Sequence, residues 1–209
     1  MKNGFSLAEV LVTLMIIGVI AGMTIPSLRK DSVNKTVSTT LKKVYSELNQ
    51  SYNLFLQENY SSKLCRTHVL DDDVKFEADF IYSKFSVMLA CDAGAPEKCF
   101  GNDSVIGSRK SYLLTNGVAL AFDTLRQGWC PNLWGNIYVD VNGPKSPNKG
   151  GVDQFVLNVN NSGLVQTSYS INHSSYVNYA RETCSSGSDY NAAWACAVLI
   201  QADGWEIKY

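Results

Sequence analysis

Three sets of side chains in this chain of 209 residues are of types that do chemistry. The first is a single acid. From Phe5 to Leu28 the only charged residue is Glu9, and its neighbours are mostly apolar. A carboxylate on an apolar helix costs roughly 2.5–3.5 kcal/mol at the centre of a membrane, and less near its edge. Glu9 therefore either lies shallow and reaches the interface, or meets a cation inside. A cut after Gly4 would create such a cation, the new amino group of Phe5, which a neighbouring copy of the helix could present to Glu9.

The second set is six cysteines, at positions 65, 91, 99, 130, 184 and 196, with no CxxC pair. Zinc-ligand spacing and the thioredoxin motif are absent. Scattered and even in number, they fit disulfides formed in an oxidising compartment; six buried thiols are the alternative. Cys91 and Cys99 bracket a Gly-Ala-Pro loop. Cys184 and Cys196 flank the start of a helical pattern, and Cys65 with Cys130 remain by elimination. The count alone leaves other pairings open.

The third set lies between Asp140 and Asp153, a Gly- and Asn-rich loop with two prolines. Asp140, Asn142 and Asp153 could join backbone carbonyls in an oxygen-only calcium site. The spacing is not that of an EF-hand, and Asx turns linking two strands are the alternative. Catalysis finds little support. Only two histidines occur, His68 and His173, and there is no GxSxG, HExxH or P-loop. No enzyme is expected. The formal net charge of −1 offers no basic surplus for nucleic acid. With 45% hydrophobic and 18% charged residues the chain is not disordered as a whole.

These groups need elements to hold them. At 1.5 Å per residue, Phe5 to Leu28 spans about 36 Å, enough to cross a hydrocarbon core of about 30 Å. A secretory signal would have a shorter apolar core and a small-residue cleavage site beyond it. Here the run leads straight into a further helical pattern and reads as a retained anchor. Arg29, Lys30 and Lys35 against Lys2 and the amino terminus would place the C-terminal body in the cytoplasm. The cysteines place it outside, and they outweigh a difference of about one charge. Gly18 and Gly22 have the small-xxx-small spacing that lets helices approach closely, although glycine is common in membrane helices anyway. Gly22 and Pro26 together weaken the helix locally.

Gly4-Phe5-Ser6-Leu7-Ala8-Glu9-Val10-Leu11, followed by the apolar run, resembles the N-terminal cleavage and methylation segment of type IV prepilins and type II secretion pseudopilins. The resemblance covers about 30 residues. It implies that a prepilin peptidase cuts after Gly4 and methylates Phe5. It also implies that Glu9 guides packing in a filament, and that Pro26 is the helix-kinking proline common in that family. The family's orientation, body outside, agrees with the cysteines. Its major pseudopilins carry a calcium-binding loop in the head, whose own motif is not evident here; otherwise no cofactor is expected.

Beyond Pro26, Val33, Val37, Leu41, Val44, Leu48, Tyr52 and Phe55 recur at steps of three and four, a helical stripe. A helix continuous from Phe5 to about Asn59 would be roughly 80 Å long. A short coiled-coil seam is the rival reading. A second helical pattern runs from Val74 to Ala90, with Phe76, Phe80, Met88 and Leu89 near one face, and the Asp71-Asp72-Asp73 run suits its start. The period then changes. Tyr112–Phe122 reads as two strands about Asn116-Gly117, a strong hairpin signal. Asn136–Asn142 alternates, Gln154–Val159 is a further strand, and Gly163–Gln166 pairs with it. A short helix over Ala192–Ala202 closes at Asp203-Gly204.

The expected fold is α+β: a long N-terminal helix packed on a small antiparallel sheet. The expected divisions are a leader at 1–4, an assembly helix at 5–28, its amphipathic continuation at 29–59 and a disulfide-bonded head at 60–209. The function these features imply is that of a filament subunit. Its partners would be other copies, related pilin subunits, prepilin peptidase, an inner-membrane platform and an assembly ATPase. A minor tip pilin for adhesion or DNA uptake, or an anchored binding protein that never polymerises, are the alternatives.

Overall fold

The structure, a computed structural model, describes residues 6–67, 73–102, 105–123, 134–167, 174–186 and 189–209. One helix, α1 (Leu7–Glu58), runs unbroken past Gly22 and Pro26. The chain divides into two compact units, residues 1–36 and 37–209, and α1 contributes to both.

In the second unit α1 carries the apolar stripe. Val37, Leu41, Val44, Leu48, Tyr52 and Phe55 are all buried. Val33, the first position expected on the stripe, lies in the first unit and is 51% exposed. The helix ends at Glu58, and in the turn after it Tyr60 takes the left-handed conformation while Ser61 N–H donates to Leu56 O at 2.9 Å. Such a closure satisfies carbonyls that the last turn leaves without a helical donor.

The head follows the expected α+β plan, a helix with an antiparallel sheet. Six strands run in sequence order: β1 (Val87–Cys91), β2 (Ser111–Leu114), β3 (Ala119–Asp123), β4 (Trp134–Asp140), β5 (Gln154–Asn160) and β6 (Val165–Thr167). The alternation of side chains sorts the sheet into two faces. Tyr112, Leu114, Leu120, Ile137, Val139, Phe155 and Leu157 join α1 in the larger core. Leu113, Ala119, Ala121, Tyr138 and Val156 face a second cluster with Phe100 and Ile106. Asn49 ties α1 to the sheet edge: its Oδ1 accepts Val165 N–H at 2.9 Å and its Nδ2 donates to Val165 O at 3.2 Å.

One expected helix is corrected. Residues 73–84 form short turns, α2 (Asp73–Phe76), a π-turn (Glu77–Ile81) and α3 (Tyr82–Lys84), and the helix stops there. Phe85 turns extended, and Val87–Cys91 pairs antiparallel with Ser111–Leu114 as an edge strand. Phe76 and Phe80 are buried as expected, but Met88 and Leu89 are 61% and 42% exposed. Their helical spacing was coincidental, because a partner more than twenty residues away decides their conformation. After β1 comes α4 (Glu97–Phe100).

Among the described residues, two C-terminal helices follow the sheet. The first, α5 (Ser174–Ser186), was not expected; its inner side is thin, with Ala180 and Cys184 buried and Val177 half-buried. The second, α6 (Tyr190–Ala202), is capped by Asp189, whose carboxylate accepts the N–H groups of Asn191 and Ala192. Disulfides join Cys91 to Cys99 and Cys184 to Cys196. Cys65 is also disulfide-bonded, but Cys130, its expected partner, lies outside the described residues.

Candidate functional site

The first candidate region is the start of α1. Gly4 and Phe5 lie outside the described residues, so the geometry begins at Ser6. Ser6 Oγ accepts Glu9 N–H at 3.3 Å, and Glu9 Oε2 accepts Ser6 N–H at 2.8 Å. The reciprocal pair is a capping box, which satisfies two of the donors that every helix leaves unpaired at its N-terminus. In hydrocarbon, where no water can serve those donors, such a cap matters more than at a wet surface. Ser-x-x-Glu ahead of an apolar run is the signal that marks Ser6 as its partner.

Beyond the cap, residues 7–25 of α1 bury almost nothing among the described residues. Leu7, Leu14, Met15, Ile17 and Met23 are each 60% exposed or more. Among the described residues α1 is the one helix long and apolar enough to cross a membrane, and none of its apolar window is buried. A side chain added at Gly18 or Gly22 would meet nothing within 4 Å, so each glycine leaves an open notch on the helix surface. Pro26 has no N–H to offer the Gly22 carbonyl. Thr13 and Thr24 turn their hydroxyls onto the carbonyls of Val10 and Ile20, which hides polar atoms on an apolar surface.

The second candidate region is the β4–β5 loop, where the fold does bring Asp140, Asn142 and Asp153 into one turn. Asp140 and Asp153 are buried, at 0% and 1% exposure. Asp140 Oδ1 accepts Asn142 N–H at 3.1 Å, and its Oδ2 accepts Gln154 Nε2 at 2.8 Å. Burial pushes its carboxyl up to about 8, against the pull of the Gln154 bond; nearby Asp153 raises it further, and the amides of Asn142 and Gly143 lower it. Asp153 Oδ1 accepts Lys149 N–H at 2.7 Å, and its Oδ2 accepts Asn148 N–H at 2.9 Å. Both carboxyl groups thus accept from amide N–H groups of the loop and of Gln154. Gln154, missed in the sequence, also donates to Phe100 O and accepts from Val105 N–H.

The calcium implied by the resemblance does not fit this donor set. Asn142 Oδ1 is buried without a partner, but the two carboxylates beside it already take N–H donors on both oxygens. Among the described residues, no three His, Cys, Asp or Glu side chains gather as a metal group. The bonds that Asp140 and Asp153 make are those of turn staples.

Comparison with known proteins bears on the first region. A family described as the prokaryotic N-terminal methylation motif matches residues 1–25. The chain therefore carries the prepilin-type signature of type IV pilins and pseudopilins, and the match covers Gly4, Phe5, Ser6, Glu9, Gly18 and Gly22. No curated protein and no solved structure matches the chain.

Proposed function

We propose that this chain is a structural subunit of an extracytoplasmic filament, of the type IV pilus or type II secretion pseudopilus kind. The observation that carries the reading is a coincidence at one end of one helix. The methylation motif falls on residues 1–25, and there α1 is apolar, unburied and bears one acid. In this reading residues 1–4 are a leader, and prepilin peptidase cuts after Gly4 and methylates Phe5. The helix anchors the chain in the bacterial inner membrane with the head outside. The subunit then leaves the bilayer for a filament core built from such helices, driven by an ATPase through a membrane platform.

Inside that core, Glu9 of one copy meets the Phe5 amine of the next, so that two costly charges neutralise each other. Gly18 and Gly22 let neighbouring backbones approach, and the Gly22–Pro26 stretch is where the helix yields. The disulfides of the head suit the oxidising side of the membrane.

Intact mass and N-terminal sequencing of the native protein test the reading. A mature chain that begins at methylated Phe5 supports it. A chain that keeps Met1 to Gly4 in an otherwise competent cell overturns it.

A further inference from the structure

We infer that Asn148 does in the β4–β5 loop what a cation does in a metal-bound one: its carboxamide gathers three carbonyls and closes the loop without metal. In the orientation that satisfies both ends of the carboxamide, Asn148 Nδ2 donates to Lys145 O at 2.9 Å and to Phe100 O and Gly143 O at 3.2 Å each. Two hydrogens serve three acceptors, so one is shared. A cluster of carbonyl oxygens is the backbone part of a calcium site. Here a neutral N–H₂ group stands at its focus.

The surroundings are built for that side chain. Asn148 is 7% exposed and adopts φ +51, a left-handed conformation that Asn tolerates better than most residues. Its own N–H is held by Asp153. Gly101, at φ +72, leaves the room: a Cβ there would sit 2.3 Å from the Asn148 side chain. Phe100 adjoins Cys99, so the carboxamide also links the disulfide-bonded turn to the β4–β5 loop. The head therefore folds, and presents this loop, without calcium. The inference concerns the head alone and stands whether or not the chain forms filaments.

The test is thermal unfolding of the purified full-length chain in detergent, with about 5 mM calcium or with chelator, alongside calorimetric titration of calcium. That concentration exceeds the range of weak extracellular sites. The native chain is expected to unfold at the same temperature in both and to show no binding heat. Asn148→Ala should unfold about 3–10 °C lower, because the carbonyls of Lys145 and Gly143 lose this donor while Phe100 O keeps only Gln154. Asn148→Asp should fall at least as far and recover in calcium, having set a carboxylate among the carbonyls. Calcium binding by the native chain, a rise in its unfolding temperature with calcium, or native-like stability of Asn148→Ala would each overturn the inference.

Discussion

Leu14 and Leu48 stand on the same helix, yet one is 60% exposed and the other fully buried. From Leu7 to Ile25, α1 is apolar with little of its surface covered; from Val37 to Phe55 it buries a side chain at almost every turn. The second stretch therefore draws its stability from the head's own core, which buried apolar area supports at about 25 cal/mol per Å². Among the described residues the first stretch has no such source, and in the proposed reading lipid or other helices cover its apolar surface. A sequence can thus use one secondary structure for two tasks, and the division shows in what each side chain touches rather than in helix propensity.

The largest expected effect strikes the first stretch alone. Glu9→Leu removes the costly charge, so the variant should reside in the membrane at least as well as the native chain. It should nevertheless be absent from filaments, because the Phe5 amine of the next copy would meet no carboxylate. The measurement is the ratio of sheared-filament to membrane-bound protein by immunoblot. Native-like assembly of Glu9→Leu would show that charge pairing does not drive entry.

Leucine truncation sharpens the contrast next. Leu48→Ala should cost the head about 2–5 kcal/mol through lost burial and a residual cavity. In a chain of this size that lowers the unfolding temperature by roughly 5–15 °C. Leu14→Ala should move head unfolding by less than about 2 °C, since it removes nothing from the core. Circular dichroism melts of both variants in one detergent make the comparison. An equal loss from both would mean that the first stretch contributes to the head's stability.

What was legible in the sequence follows the same division. The α1 stripe from Val37 onward and the Asn116-Gly117 hairpin are local patterns, and each formed where its period or turn residues required. Glu9 stood out because one acid among apolar neighbours is anomalous without knowing any contact. The strand Val87–Cys91 was misread as helix because its identity comes from pairing with Ser111–Leu114. α5 went unseen because only Ala180, Cys184 and part of Val177 face inward, too sparse a stripe to register. Gln154 and Asn148 were invisible as staples because their partners Phe100 and Val105 lie about fifty residues away. Ser6 is legible in the sequence, since Ser-x-x-Glu is a local signal and both of its bonds lie within one turn.

A smaller effect separates the two regions by pH. The Asp140 carboxyl is raised in the fold to about 8 from an ordinary value of 3.8, so between those values the folded chain holds a proton that the unfolded chain has lost. For a raised acid, stability falls as pH rises through that window, and above about pH 8 the folded state bears a buried carboxylate. Asp140→Asn cannot ionise. Its unfolding temperature relative to native should therefore improve steadily from pH 5 to about pH 8 and level off above it, whatever its offset at pH 5. A pH-independent difference between the two chains would show that Gln154, Asn142 and Gly143 hold Asp140 ionised throughout. Filament entry, which we propose rests on Glu9, should not follow this profile.

The smallest effect concerns Ser6. Removing an N-cap hydroxyl costs a helix about 0.5–2 kcal/mol, and Ser6→Thr keeps the oxygen that Ser6→Ala loses. Ser6 N–H would still reach Glu9 Oε2 in both variants, but without the hydroxyl Glu9 N–H is left unpaired where lipid offers no substitute. Ser6→Ala should therefore lower the filament fraction several-fold while leaving head unfolding unchanged, and Ser6→Thr should restore it. Measured beside Glu9→Leu, the variant separates two roles. If Glu9→Leu fails and Ser6→Ala assembles normally, Glu9 acts through a second copy and its bond to Ser6 is incidental. If both fail and Ser6→Thr recovers, the carboxylate must be held by its own helix before a neighbour can use it.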